Sequence, residues 1–323
     1  MNNSTKFNFS YLTVNNAEMF VAVSKNINKD LPLLVVLHGG PGMVLSPVLD
    51  SLFPDIEKHF NVVYFDQRGA GLSYSTVLVS KDMTLNQSAE DVKEITLWAK
   101  KTTGIDNTFL FGHSWGATLG IYTVQKYSQL FTGFINLGAW LVDEEKCVET
   151  RVKLVGEIIQ KNTYLEVNRD IIIKSVKDNF YWDDDVLLEN GFKLTNLTNT
   201  WDYQMGLVEN SELYSKEDKQ NYKDGMAFSD HLYNDVVNNY NVQRDVKLFK
   251  LPSIFLVGQD DLVTPAVDIS EYVESLKALG GNNNLAYMTI DNSRHYSFMD
   301  NYDSFIQQIL EWKKYIKYNS PFR

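Results

Sequence analysis

One cysteine, Cys147, in 323 residues leaves no internal disulfide to be made and fits a reducing compartment. It follows the acidic run Asp143-Glu144-Glu145-Lys146. A nucleophilic thiolate needs an electropositive setting, so a solvated or half-buried thiol is expected here instead. No apolar run approaches the roughly 18 residues that a membrane span requires, so no membrane partner is expected. The opening residues, MNNSTKFNFSYLTV, lack a basic stretch followed by an apolar core. No secretory signal is read there, and a soluble, cytoplasmic protein is expected. Positive charge is in deficit as well, 30 Lys and Arg against 41 Asp and Glu, a net of −11. An acidic surface attracts neither nucleic acid nor anionic lipid. The five histidines include no pair at the helical or short-loop spacing of metal ligands, so neither metal nor cofactor is expected. No internal repeat or low-complexity segment interrupts the chain.

What is present is long enough for one large α/β domain with an inserted subdomain, at an ordinary 44% hydrophobic content. Lys6 to Val14 alternates polar and apolar residues, and Glu18 to Ser24 does so less regularly; an antiparallel pair joined at Asn15-Asn16 is predicted. Leu31 to Leu37 and Asn61 to Phe65 are apolar on both faces, the mark of strands inside a largely parallel sheet covered by helices. The first ends in His38-Gly39-Gly40-Pro41-Gly42, which can neither extend a strand nor begin an ordinary helix. Such a loop exposes backbone N–H groups suited to an oxyanion, although a plain tight turn would have the same composition. The second runs into Asp66-Gln67-Arg68-Gly69-Ala70-Gly71-Leu72-Ser73, where Asp66 and Arg68 are read as pinning the loop by hydrogen bonds. From Thr84 to Lys101 the apolar residues fall at helical spacing, with Thr84 as cap and Gln87 completing a capping box.

A third strand, Thr108 to Phe111, leads through Gly112-His113-Ser114-Trp115-Gly116 into a helical pattern that begins at Ala117. In a G-x-S-x-G elbow the serine sits in a strained turn, and the glycines are small because strand and helix pass too close for side chains. The Ser114 hydroxyl is pushed into the open, and the Trp115 amide at the helix start points toward a developing oxyanion. The pentapeptide alone fits a glycine-flanked βα turn equally well. Downstream, Phe131 to Ala139 reads as a sixth strand and Leu251 to Val257 as another buried one, followed by Gly258-Gln259-Asp260-Asp261-Leu262-Val263-Thr264-Pro265. Leu285 to Ile290 gives a last strand before Asp291-Asn292-Ser293-Arg294-His295. A serine hydroxyl is a poor nucleophile near neutral pH, so an imidazole must take its proton, and a carboxylate must orient that imidazole. His295 is the candidate base. His38 and His113 read as loop-packing residues, His59 and His231 as solvated.

Taken together, HGGPG, DQRGAGLS and GHSWG, each after a strand and in this order, resemble the proline iminopeptidase branch of the α/β-hydrolase superfamily. The resemblance implies an α/β fold, with an eight-stranded, mostly parallel sheet and a helical cap inserted after the sixth strand. It implies Ser114 as nucleophile and the amides of Gly40 and Trp115 as oxyanion hole. It selects Asp261 over Asp260, because the family's acid is fourth in a G-x-x-D-x-x-T-P segment, and it supplies His295 as base. The family usually has glycine where Arg294 precedes that histidine.

The division expected is a hydrolase core over 1–140, a helical cap over 141–240 and the rest of the core over 241–323. Helical patterns at Cys147 to Ile159 and Asp170 to Val176 are broken by the polar runs DNFYWDDD and ENSELYSKED. From Leu141 to Lys250 there are 21 Asp and Glu against 14 Lys and Arg, a net of −7. That excess would attract a substrate ammonium, and a merely solvated insertion would be as acidic. The family's W-x-x-W-E pattern for gripping the substrate amine is absent; Trp201-Asp202-Tyr203 and Glu209 do not match it residue by residue, so the substrate-binding residues stay open. The expected partner is a small peptide, cleaved through an acyl-enzyme to release an N-terminal residue such as proline. The alternatives are a carboxylic-ester or lactone hydrolase with the same triad, and a non-catalytic binding protein on the hydrolase fold.

Overall fold

A computed structural model describes residues 6–178, 184–193 and 200–319. Phe7–Val14 (β1) and Ala17–Ser24 (β2) form the predicted hairpin, with Val14 opposite Ala17. Asn15 and Asn16 have φ of 46° and 63°. A two-residue turn needs left-handed values at both positions to follow the strand twist, and asparagine tolerates them. Leu33–Leu37 (β3), Asn61–Phe65 (β4), Thr108–His113 (β5), Gly133–Leu137 (β6) and Ser253–Gly258 (β7) are buried throughout, and Leu285–Ile290 (β8) closes the sheet. The strand order is β1-β2-β4-β3-β5-β6-β7-β8. β2 runs antiparallel to β4, and every later pair is parallel. This is the eight-stranded, mostly parallel sheet that the sequence led us to expect.

Alternation along the central strands divides the core in two. Val35 and Leu37 pack with the helices Leu85–Thr103 and Trp115–Tyr127, while Leu34 and Val36 face the other way, into the cluster that holds Trp312 of the helix Tyr302–Asn319. The helix Leu85–Thr103 begins as predicted, with the Gln87 amide donating to Thr84 Oγ1 at 3.1 Å. The reciprocal half of the capping box does not form. Gln87 Nε2 turns forward instead to Asp91 Oδ1 at 3.1 Å, joining Asn15 and Arg68 as donors to that buried carboxylate.

Between β6 and β7 the chain inserts mostly helices, and these divide into two groups by packing. Glu144–Lys161, Arg169–Asp178 and Asp184–Glu189 share a small core of Val155, Ile159, Ile172, Val176 and Leu187 that closes on Leu262 and Val263. The helices Thr200–Asn210, Lys216–Phe228 and Asp230–Asn239 instead join the main core, sending Val208 and Tyr222 to one face and Leu232 and Val236 to the other. Most of DNFYWDDD and the side chains of Trp201 and Asp202 lie outside the described residues. Among the described residues no helix is long and apolar enough to cross a membrane, and no group of three or more His, Cys, Asp or Glu could hold a metal ion.

Candidate active site

β5 ends at the elbow. Ser114 has φ 55° and ψ −120°, a left-handed, strained conformation at the start of the helix Trp115–Tyr127. Both neighbouring glycines are obligatory on steric grounds. A Cβ on Gly112 would lie 2.3 Å from the Gly116 carbonyl oxygen, and one on Gly116 would lie 2.4 Å from that of Leu37. The Ser114 amide donates to Leu137 O at 2.9 Å, which ties the elbow to the end of β6. The next residue, Gly138, faces the acid and base, since a Cβ there would lie 3.4 Å from both Asp261 Oδ2 and His295 Cε1.

Asp261 and His295 are brought together at 2.9 Å, Oδ2 to Nδ1, with both side chains buried. Oδ1 of Asp261 accepts from the amides of Val263 and Thr264 at 2.8 and 2.9 Å, and Oδ2 also accepts from Thr264 Oγ1 at 2.9 Å. Burial pushes this carboxyl up, but the charge and hydrogen bond of His295 and the Thr264 bonds outweigh it, so its pKa is lowered and it stays ionised. Thr264 was not singled out from the sequence, although its place in the D-x-x-T-P run was the available signal. Asp260 is exposed, and its backbone amide, rather than its carboxylate, clips the loop by donating to Ser293 O at 3.0 Å. Gly258 lets the two loops meet, because a Cβ there would lie 2.2 Å from Arg294 O. Arg294 directs Nη1 to Lys193 O at 2.5 Å, so its cation is drawn toward the insertion.

The oxyanion candidates lie beside the elbow. A Cβ on Gly39 would lie 3.4 Å from Ser114 Cβ. Among the described residues neither the amide of Gly40, which follows Gly39 in this loop, nor that of Trp115, which follows the serine, donates to a protein acceptor. Gln67 braces the arrangement: its Nε2 donates to His38 O at 2.8 Å and its Oε1 accepts from Trp115 Nε1 at 2.9 Å. His38 is buried and packs the loop as expected, with Nε2 accepting from the Gln67 amide at 3.0 Å; burial pushes its pKa down to about 4. His231 is exposed, whereas His59 is half-buried.

Asp66 and Arg68 hold the loop separately. Arg68 forms a buried, two-pronged ion pair with Asp91, both contacts at 2.7 Å. Asp66 accepts from Tyr64 Oη at 2.5 Å, the Leu72 amide at 2.8 Å and Ser46 Oγ at 3.0 Å. Ser46 in turn pairs with Tyr214 Oη of the insertion at 2.7 Å. Cys147 is half-buried, and burial pushes its thiol up to about 12, which leaves it inert. Arg151 on the same helix is fully buried and donates through Nη2 to Val263 O at 3.0 Å, steadying the loop that carries Asp261.

The sequence pattern of the alpha/beta hydrolase fold matches residues 32–302. The chain is 25% identical over 277 residues to the probable aminopeptidase YbaC of Bacillus subtilis, covering 83% of this chain and 85% of that protein. It is 25% identical over 282 residues to a proline iminopeptidase of Saccharolobus solfataricus, covering 86% and 84% respectively. Among solved structures, a thermophilic esterase from Thermogutta terrifontis superposes with a TM-score of 0.59 at 16% identity, covering 96% of this chain and 99% of that one.

Proposed function

The chain belongs to the alpha/beta hydrolase fold family, in its proline iminopeptidase-like branch, and from that premise we propose that it is a serine hydrolase releasing N-terminal residues, proline among them, from short peptides. Ser114 attacks the scissile carbonyl as His295 takes its proton. Asp261 holds the imidazole by Nδ1–H, leaving Nε2 to face the serine, and stabilises the imidazolium. The amides of Gly40 and Trp115 receive the oxyanion. His295 then passes its proton to the leaving amine, the acyl-enzyme remains on Ser114 Oγ, and a water activated by His295 hydrolyses it. The insertion over 141–240 serves as the cap, and a lone inert thiol suits a cytoplasmic setting.

The observation that carries this reading is the buried Asp261–His295 pair at 2.9 Å, which faces Gly138, the residue after Leu137, whose carbonyl accepts from the Ser114 amide. The test is a paired assay of proline β-naphthylamide and p-nitrophenyl acetate, each with a Ser114→Ala control. Release of naphthylamine that Ser114→Ala abolishes is the expected result. Cleavage of the ester alone would establish the second reading, a carboxylic-ester or lactone hydrolase, which the likeness in fold to an esterase and the missing W-x-x-W-E pattern favour. No serine-dependent turnover of either substrate would overturn both.

A further inference from the structure

Of the two buried imidazoles that the mechanism above leaves unused, His38 packs against Gln67 and His113 reaches the base. His113 ends β5 immediately before the nucleophile and is 3% exposed. Its Nε2 lies 2.8 Å from the carbonyl oxygen of His295, and its ring centroid lies 4.7 Å from that of His295. Tyr296 and Phe298 enclose the same ring at 5.3 and 5.0 Å. On its other side, a Cβ on Gly39 would meet His113 Nδ1 at 3.2 Å. One ring thus fills the space between the oxyanion loop and the loop of the base, directly behind the serine.

A carbonyl oxygen can only accept, so Nε2 carries the hydrogen and Nδ1 is bare. Burial first, and the neighbouring His295 second, push the His113 pKa down to about 3, so the ring is neutral wherever turnover is measured. His295 and Asp261 are the titratable groups whose fields reach it. The loop of the base is anchored carbonyl by carbonyl. Ser293 O accepts from the Asp260 amide at 3.0 Å, and Arg294 O from Ser297 Oγ at 2.9 Å. His295 O, the carbonyl of the base itself, is the one held from the elbow.

We propose that His113 is a positioning residue for the base: its Nε2–H fixes the His295 backbone relative to Ser114, and its ring packs under the imidazole without adding a charge. This rests on the serine-hydrolase reading. A cation at His113 would oppose the imidazolium that forms at His295 during attack, and loss of the donor would free the peptide that aims Nε2 at the serine. Small misplacement of a catalytic group costs up to about 100-fold in rate.

His113→Phe keeps a ring and loses the donor; His113→Gln places an amide N–H near the position of Nε2. Expected on the better of the two substrates above is a fall in kcat of about 10- to 100-fold for His113→Phe, with KM changed by less than about twofold, and recovery of most of kcat in His113→Gln. Nitrogen-15 NMR of the histidine rings in the Ser114→Ala protein gives a readout independent of turnover and of whether His113→Phe folds. The expected spectrum has His113 neutral with its proton on Nε2. An Nδ1–H tautomer, a charged ring, or full kcat in His113→Phe would overturn the proposal while leaving the serine mechanism intact. Wild-type protein without serine-dependent turnover would instead overturn the functional reading, and the proposal with it.

Discussion

Two adjacent carboxylates, Asp260 and Asp261, differ in what their atoms meet. Asp261 contacts the base and accepts three further hydrogen bonds, whereas Asp260 is exposed. Asp261→Asn replaces one acceptor oxygen with an amide that cannot accept from His295 Nδ1–H. The imidazole is then free to adopt the wrong tautomer, and kcat is expected to fall by about 10⁴-fold. Asp260→Asn leaves every bond above in place and should stay within about threefold of wild type. The reverse order of the two variants in a kcat comparison would reassign the acid. Arg68→Met poses a different question at the same scale. It strands the Asp91 carboxylate in a buried site, which also receives Asn15 and Gln87, and should cost about 3–5 kcal/mol of stability. A urea midpoint equal to that of wild type would show that the pair contributes nothing.

At the scale of elements, the elbow is where backbone rather than side chains sets the limit. Gly116→Ala would put its Cβ 2.4 and 2.5 Å from the carbonyl oxygens of Leu37 and His38, which neither strand nor loop can yield without moving the oxyanion loop. A loss of about 3 kcal/mol and a Tm lower by about 4–5 °C are expected, and a Tm within a degree of wild type would refute the packing argument. This element was legible in advance because each part has a local signature. Buried parallel strands are continuous apolar runs, and glycines at fixed offsets mark where backbones touch. Ser114, Asp261 and His295 likewise stand shortly after the ends of β5, β7 and β8, although only the family resemblance singled out Asp261 from Asp260. What stayed hidden depends on distant partners. The His113 proton goes to a carbonyl 182 residues away, and Arg68 finds Asp91 on a helix rather than Asp66 in its own loop. The Gln87 side chain abandons the capping box for that same Asp91. The acidic, weakly patterned insertion gave no sign that its first helices form a small core of their own while the later ones join the main one.

For the whole molecule, the buried carboxyl of Asp66 links core and insertion through Ser46 and Tyr214, and it makes stability depend on pH. Burial raises its pKa from 3.8 to about 6, and the hydrogen bonds from Tyr64, Leu72, Ser46 and Tyr214 offset this only in part. Between those values the folded protein holds a proton that the unfolded chain has released. The stability from this group is therefore complete below its unfolded pKa and is lost as pH rises through the folded one, a difference of about 3 kcal/mol. Asp261 acts in the opposite sense: its lowered pKa gives stability present above the ordinary carboxylate value and lost as pH falls through the folded one. Asp66→Asn isolates the first effect. An asparagine oxygen can accept from Leu72 and Ser46, and its NH₂ can donate to the Tyr64 hydroxyl, so the network persists without a charge to bury. The Tm of Asp66→Asn relative to wild type should therefore climb by several degrees between pH 4 and pH 7, because only the wild type loses stability from this site over that range. A difference in Tm that stays flat across the range would mean that Asp66 is already ionised at pH 4 in the folded protein, with its four donors outweighing burial.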